Sequence, residues 1–148
     1  MRILGWILIT TILAAGCSGS DKKTSVLVSG TNLDPKDSSQ WTTIEWLDSA
    51  ERDYGKIAEG QVLQISYRFK NSGTHPLVIE RVQPSCGCTI AEQPDQPIAP
   101  GQEGIIKATF NSEKHVGQNY KTLFVYANTK GSQSSELKFK VEVVNKKW

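Results

Sequence analysis

Charge of one sign is the plainest thing this sequence lacks. Its 148 residues carry 17 Lys and Arg against 15 Asp and Glu. No basic field exists to hold a phosphate backbone, so nucleic acid is not an expected partner. Metal-binding side chains are scarce as well. His75 and His115 are the two histidines, Cys17, Cys86 and Cys88 the three cysteines, and Met1 the one methionine. A closed zinc site needs four ligands, and the two histidines stand in separate turn-like segments. Gly-rich phosphate loops, HExxH and GxSxG do not occur, so no catalytic residue, cofactor or resident metal is expected. Apolar runs are short too. The longest, near the N-terminus, falls below the about 20 residues needed to span a bilayer as a helix.

What that N-terminus does contain has an order. Met1-Arg2 is a short positive start, Ile3 to Leu13 is mostly apolar, and Ala14-Ala15-Gly16 are small. Charge, apolar stretch and small residues are the layout of a secretory signal. Leu13-Ala14-Ala15-Gly16-Cys17 resembles a lipobox, with Leu13 one step earlier than the usual leucine. The resemblance implies cleavage after Gly16 and a lipid on Cys17, with palmitate-like chains on its sulfur and amine. Several such chains hold a protein firmly to a membrane, whereas one holds it marginally. Residues 17–40 are rich in Ser, Gly, Asp and Lys, with Val26-Leu27-Val28 as the only apolar island. They bury too little to offset their ordering entropy and are expected to be a flexible tether.

From Trp41 onward the pattern changes to period two. Leu63, Ile65, Tyr67 and Phe69 alternate with Gln64, Ser66 and Arg68. Leu137, Phe139, Val141 and Val143 alternate with charged residues, and Ile106, Ala108 and Phe110 with Lys107 and Thr109. Such segments are half-buried strands. Asn71-Ser72-Gly73-Thr74, Pro100-Gly101 and Asn128-Thr129-Lys130-Gly131 supply turn chemistry between them. Strands are expected near 42–47, 55–58, 61–70, 76–83, 88–91, 103–111, 119–127 and 134–144. The fold class is therefore all-β, and residues 41–148 read as an immunoglobulin-like antiparallel β-sandwich of seven or eight strands. A small barrel is the alternative.

One motif has unusual spacing. Cys86, Gly87 and Cys88 follow a strand directly. In an extended chain, residues two apart stand about 6.6 Å apart on one side, the upper edge of what a disulfide permits. A bond would need the chain to buckle at Gly87, which has no Cβ to resist. Closing so short a loop constrains the unfolded chain by only ~1.5 kcal/mol. The pair is thus a poor staple. Three uses remain open: a structural pair, an accessible redox dithiol, or a grip on a soft metal ion.

Other candidates carry blander readings. Asp48, Glu51, Asp53 and Glu59 are spread through loop-like sequence and read as a solvated face. Trp41, Trp46, Tyr67, Phe69, Phe110, Tyr120, Phe124, Tyr126 and Phe139 lie in or beside strands. Most should be packing residues before a sugar-binding platform.

A set of segments in order points to a family. They are Tyr54-Gly55-Lys56-Ile57-Ala58-Glu59-Gly60, the run Phe69-Lys70-Asn71-Ser72-Gly73-Thr74-His75-Pro76-Leu77-Val78-Ile79, Ser85-Cys86-Gly87-Cys88-Thr89, Pro97-Ile98-Ala99-Pro100-Gly101, Phe110-Asn111-Ser112 and Gly117. The chain from about Tyr54 to Asn128 resembles the bacterial family called domain of unknown function 1573. That resemblance implies an Ig-like sandwich in exported or lipid-anchored bacterial proteins, with Cys86, Gly87 and Cys88 as its hallmark and no assigned reaction. The expectation is a non-enzymatic cell-envelope protein that meets the membrane through Cys17 and binds another envelope protein or surface component. The alternative is thiol redox or soft-metal handling by Cys86 and Cys88.

Overall fold

A computed structural model describes residues 37–146. The expected signal segment, Cys17 and the expected tether as far as residue 36 lie outside the described residues. The last part of the expected tether is folded. Ser38–Gln40 form a single 3-10 turn capped by Asp37, and the Gln40 carbonyl accepts a hydrogen bond from Asn128 Nδ2 at 2.9 Å.

Eight strands follow: β1 Ile44–Trp46, β2 Glu51–Ala58, β3 Val62–Asn71, β4 Ile79–Pro84, β5 Thr89–Glu92, β6 Glu103–Asn111, β7 Gly117–Ala127 and β8 Ser134–Val144. They make two four-stranded sheets, ordered β1-β3-β6-β5 and β2-β8-β7-β4. The alternating side chains explain the layering. Ile65, Tyr67 and Phe69 of β3 meet Ile106, Ala108 and Phe110 of β6 on one inner face. Leu123 and Val125 of β7, with Leu137, Phe139, Val141 and Val143 of β8, cover the other. Phe110 and Phe139 touch edge to face across the gap, centroids 6.0 Å apart. All-β architecture with both inner faces apolar is the expected sandwich.

Three details differ from expectation. β2 begins at Glu51, not near residue 55, so Glu51 and Asp53 are strand residues and not loop residues. An edge strand carries such charges because one face and one edge stay wet. Its pairing with β8 is parallel, the one exception among the otherwise antiparallel strand pairs of the described residues, and a bulge at Tyr54-Gly55 lets Gly55 take a φ of 67°. The strand expected at 76–83 spans Ile79–Pro84. Ahead of it, Leu77 makes an isolated bridge with Ile98.

Polar side chains close one end of the sandwich. Asn71 is fully buried. Its Nδ2 donates to the carbonyls of His75 and Ile98, each at 2.8 Å. Its Oδ1 accepts from Thr42 Oγ1 at 2.8 Å and from the Gly73 amide at 3.1 Å. Asn128, also buried, donates to the carbonyls of Gln40 and Pro76 and accepts from the Val78 amide. Two amides thus tie together the segments around residues 40–43, 71–78, 97–102 and 128. Gly73 is required by close approach: a Cβ there would stand 2.1 Å from Thr42 Oγ1 and 2.6 Å from the Thr43 nitrogen. Among the described residues, every buried side-chain nitrogen and oxygen has a partner, as a water-free interior demands.

Candidate functional site

The opposite end is built differently. β4 is an edge of one sheet and β5 an edge of the other. The chain crosses between them through Ser85, Cys86, Gly87 and Cys88. Cys86 and Cys88 are joined by a disulfide, with Cα atoms 5.4 Å apart, shorter than the extended spacing because the chain turns there. Gly87 does this without a left-handed backbone, and an added Cβ would meet nothing within 4 Å. The expected need for glycine at this hinge is therefore not visible in its geometry.

Backbone bonds fix the corner on both sides. The Ser85 amide donates to the Thr122 carbonyl at 2.9 Å, and Ser85 Oγ accepts from the Thr122 amide at 3.1 Å. The Cys88 carbonyl accepts from the Asn111 amide at 3.0 Å, and the Cys86 carbonyl from the Thr89 amide at 3.3 Å. Thr89 is buried, with its hydroxyl 3.7 Å from the Cys86 sulfur. Cys88 packs against the core.

Beside the disulfide lies a shallow depression of about 450 Å³, lined by Val62, Gly87, Cys88, Ile90, Thr109, Asn111 and the loop residues Glu113, Lys114 and His115. Two of its walls are apolar and wet. Ile90 is 67% and Val62 53% exposed, on the outer faces of β5 and β3 with β6 between them. The next loop holds its shape by polar bonds. Ser112 Oγ donates to the carbonyls of Ala58 and Gln61, and Asn119 Nδ2 to those of His115 and Gly117. The His115 ring leans on Phe110, centroids 5.7 Å apart. Lys114 sits at φ 60°, a left-handed conformation that costs a non-glycine residue energy and concentrates at functional surfaces.

Apart from Glu59, which bonds the loop beside it, the other histidine and acidic candidates do not join this corner. His75 lies at the asparagine-closed end, its Nδ1 3.3 Å from Thr74 Oγ1. Asp48 pairs with Arg68 at 3.0 Å. The side-chain hydrogen bond from Arg68 is the main cause holding that carboxyl below the usual range, helped by the Arg68 amide. Asp53 pairs with Lys140, and Glu59 accepts from the Lys114 amide. Among the described residues no three His, Cys, Asp or Glu side chains gather as metal ligands. The strongest titration shift belongs to Tyr67, whose phenol is pushed up by burial while its hydroxyl donates to the Lys138 carbonyl in the facing sheet. What sequence reading missed here was Val62 and Ile90. For Val62 the available signal was parity, since it is apolar where the alternation of β3 calls for a wet residue; Thr89-Ile90-Ala91-Glu92 does not alternate and gave no such signal for Ile90.

An eight-stranded sandwich of immunoglobulin or PapD-like build, crossed at one end by a Cys-Gly-Cys turn, defines the class. The family model described as "Protein of unknown function (DUF1573)" matches residues 44–143. The chain belongs to that family. A solved protein of unknown function from Porphyromonas gingivalis W83 is similar, with 17% identity and a TM-score of 0.63, over 71% of this chain and 48% of that one. The ASH/PapD-like domain 7 of human CEP192 is similar at 11% identity and a TM-score of 0.54, over 84% of this chain and 97% of that one. The secreted serine protease VesC from Vibrio cholerae gives 15% identity and a TM-score of 0.50, over 72% of this chain and 24% of that one. This chain thus spans about half of the first of these structures and a quarter of the protease. At such identities the likeness is one of fold. No match was found among curated proteins.

Proposed function

We propose that this is an exported, lipid-anchored envelope protein whose sandwich is a non-enzymatic binding module, with the cysteine corner as its contact surface. The observation that carries the reading is the exposure of Ile90 and Val62 beside a backbone-fixed disulfide turn. Large apolar side chains left wet next to a rigid corner are what a protein contact uses. The export and anchoring part rests on the N-terminal signal layout and the lipobox-like Leu13-Ala14-Ala15-Gly16-Cys17.

The test uses the full chain in its native membranes, with a photocrosslinking amino acid at position 90, at 62, or at Gln133 on the far end. The reading expects one envelope protein to be captured from 90 and 62, not from 133, and lost when Ile90→Asp accompanies the probe at 62. Equal capture from all three sites would refute it. Replacing Cys17 by Ser should abolish fatty-acid labelling.

A second reading is favoured by one feature, a disulfide spanning a single residue at an accessible corner. In it, a partner's thiolate attacks one sulfur to form a mixed disulfide, and the other cysteine leaves as thiolate. Thiol trapping of the native protein across a glutathione redox series separates the two. A pair that stays oxidised throughout removes the redox role.

A further inference from the structure

The outer face of the second sheet carries an unexpected column. Along β7, Leu123 and Val125 point into the core, so Tyr120, Thr122, Phe124 and Tyr126 share the solvent side. The Tyr126 ring is covered by the Arg81 guanidinium, 3.7 Å from its centroid. Tyr120 has no such cover: at 71% exposure its ring is the barest large hydrophobic group among the described residues. Next to it a depression of about 370 Å³ runs across β7, β8 and β2. One wall is the cross-strand row Tyr120, Lys140 and Asp53, and the other is the row Thr122, Lys138 and Glu51. That volume is at the small end of ordinary ligand sites.

The charges on this face cancel locally. Lys140 pairs with Asp53 at 2.9 Å, Lys138 with Glu136 at 3.1 Å, and Lys56 with Glu142 at 3.2 Å. No net field draws a phosphate or a charged polymer. The abundance of Lys, Glu and Asp also argues against a protein partner, since the cores of protein interfaces are depleted in them. What remains is an exposed aromatic face bordered by closely spaced donors (Lys138, Lys140, Thr122) and acceptors (Glu51, Asp53, Thr122).

A pyranose ring matches that arrangement. It presents an apolar C–H face that stacks on an aromatic ring, and a rim of hydroxyls that each donate and accept. We propose that this groove is a binding site for a neutral glycan, with Tyr120 as the stacking platform and the flanking ammonium, carboxylate and hydroxyl groups as hydrogen-bond partners to the sugar. The site lies on the sheet that does not contain Ile90 or Val62, so the inference stands apart from the corner contact proposed above.

The experiment is saturation-transfer NMR on the full chain in a detergent without a sugar headgroup. The probes are three neutral hexasaccharides: β-1,4-linked glucose, β-1,4-linked N-acetylglucosamine and α-linked mannose. At least one should receive saturation on its ring C–H protons. Tyr120→Ala should weaken that ligand about tenfold or more, Tyr120→Phe should retain it, and Ile90→Asp should leave it unchanged. The side chain is so exposed that Tyr120→Ala keeps the fold, which a circular dichroism spectrum checks. No transfer to any of the three probes overturns the proposal. So does undiminished binding by folded Tyr120→Ala, or a protein crosslinked from position 120 with no glycan bound.

Discussion

At one end of this sandwich, Asn71 and Asn128 lie buried and spend every polar atom on neighbouring backbone. At the other, Cys86 and Cys88 form a tight loop at the surface, with wet apolar side chains around it. Both ends carry a family-like motif, yet they carry it for different reasons. The asparagine motif is explained by burial. Asn71 satisfies one carbonyl in its own turn, His75, and one in a distant loop, Ile98, while Gly73 makes room for Thr42 and Leu77 fills the core. The cysteine motif has no comparable structural debt, because its backbone is held by bonds that do not involve the sulfurs. A motif that stability does not require is the better place to look for function.

That contrast can be broken by measurement. Asn71→Ala should show the largest effect. It strands the His75 and Ile98 carbonyls in the interior, a cost of about 3 kcal/mol and a fall in Tm on the order of 15 °C for a domain of this size. Urea unfolding with an unchanged slope is the measurement. A loss below about 1 kcal/mol would mean that water replaces the amide and the two ends are alike. The double change Cys86→Ala with Cys88→Ala should cost no more than ~1.5 kcal/mol, the loop-closure limit for so short a span. A larger loss would make the corner a structural staple and erase the distinction. Smallest is Asp48→Asn, on the side edge between the ends. Its carboxyl is held low by Arg68, so its contribution is present above the ordinary carboxylate range and disappears as pH falls through the lowered folded value. Wild type and variant should therefore differ slightly at neutral pH and converge in acid, and identical curves at neutral pH would show the pair to be idle.

The strands were legible where alternation was strong and both flanks were punctuated. β3, with Leu63, Ile65, Tyr67 and Phe69, and β8, with its four core residues, follow the period-two rule almost residue by residue. β2 was foreshortened because Glu51, Arg52 and Asp53 look like loop. They become strand only through pairing with β8, a partner far away in the chain. The direction of that pairing has no local signature at all. Asn71 was visible as a turn residue, but its work depends on the Ile98 carbonyl and Thr42 hydroxyl, which composition cannot place. The cysteine pair shows the same limit. Spacing left a bridge, free thiols and a metal grip open together, and the turn between β4 and β5 brings the two sulfurs into one bond. Tyr120, Phe124 and Tyr126 could be assigned to a strand, but the barer face was decided by which neighbours, Leu123 and Val125, the core took.

The hydrogen bond from Asn128 to Gln40 has a consequence for how the molecule is held. It fastens the start of the folded part to the asparagine-closed end. Anything joined upstream therefore pulls on that end, and the ten residues of β3 set the disulfide turn roughly 30 Å beyond the point of attachment. The start of the described chain and the cysteine turn therefore stand at opposite ends of the sandwich.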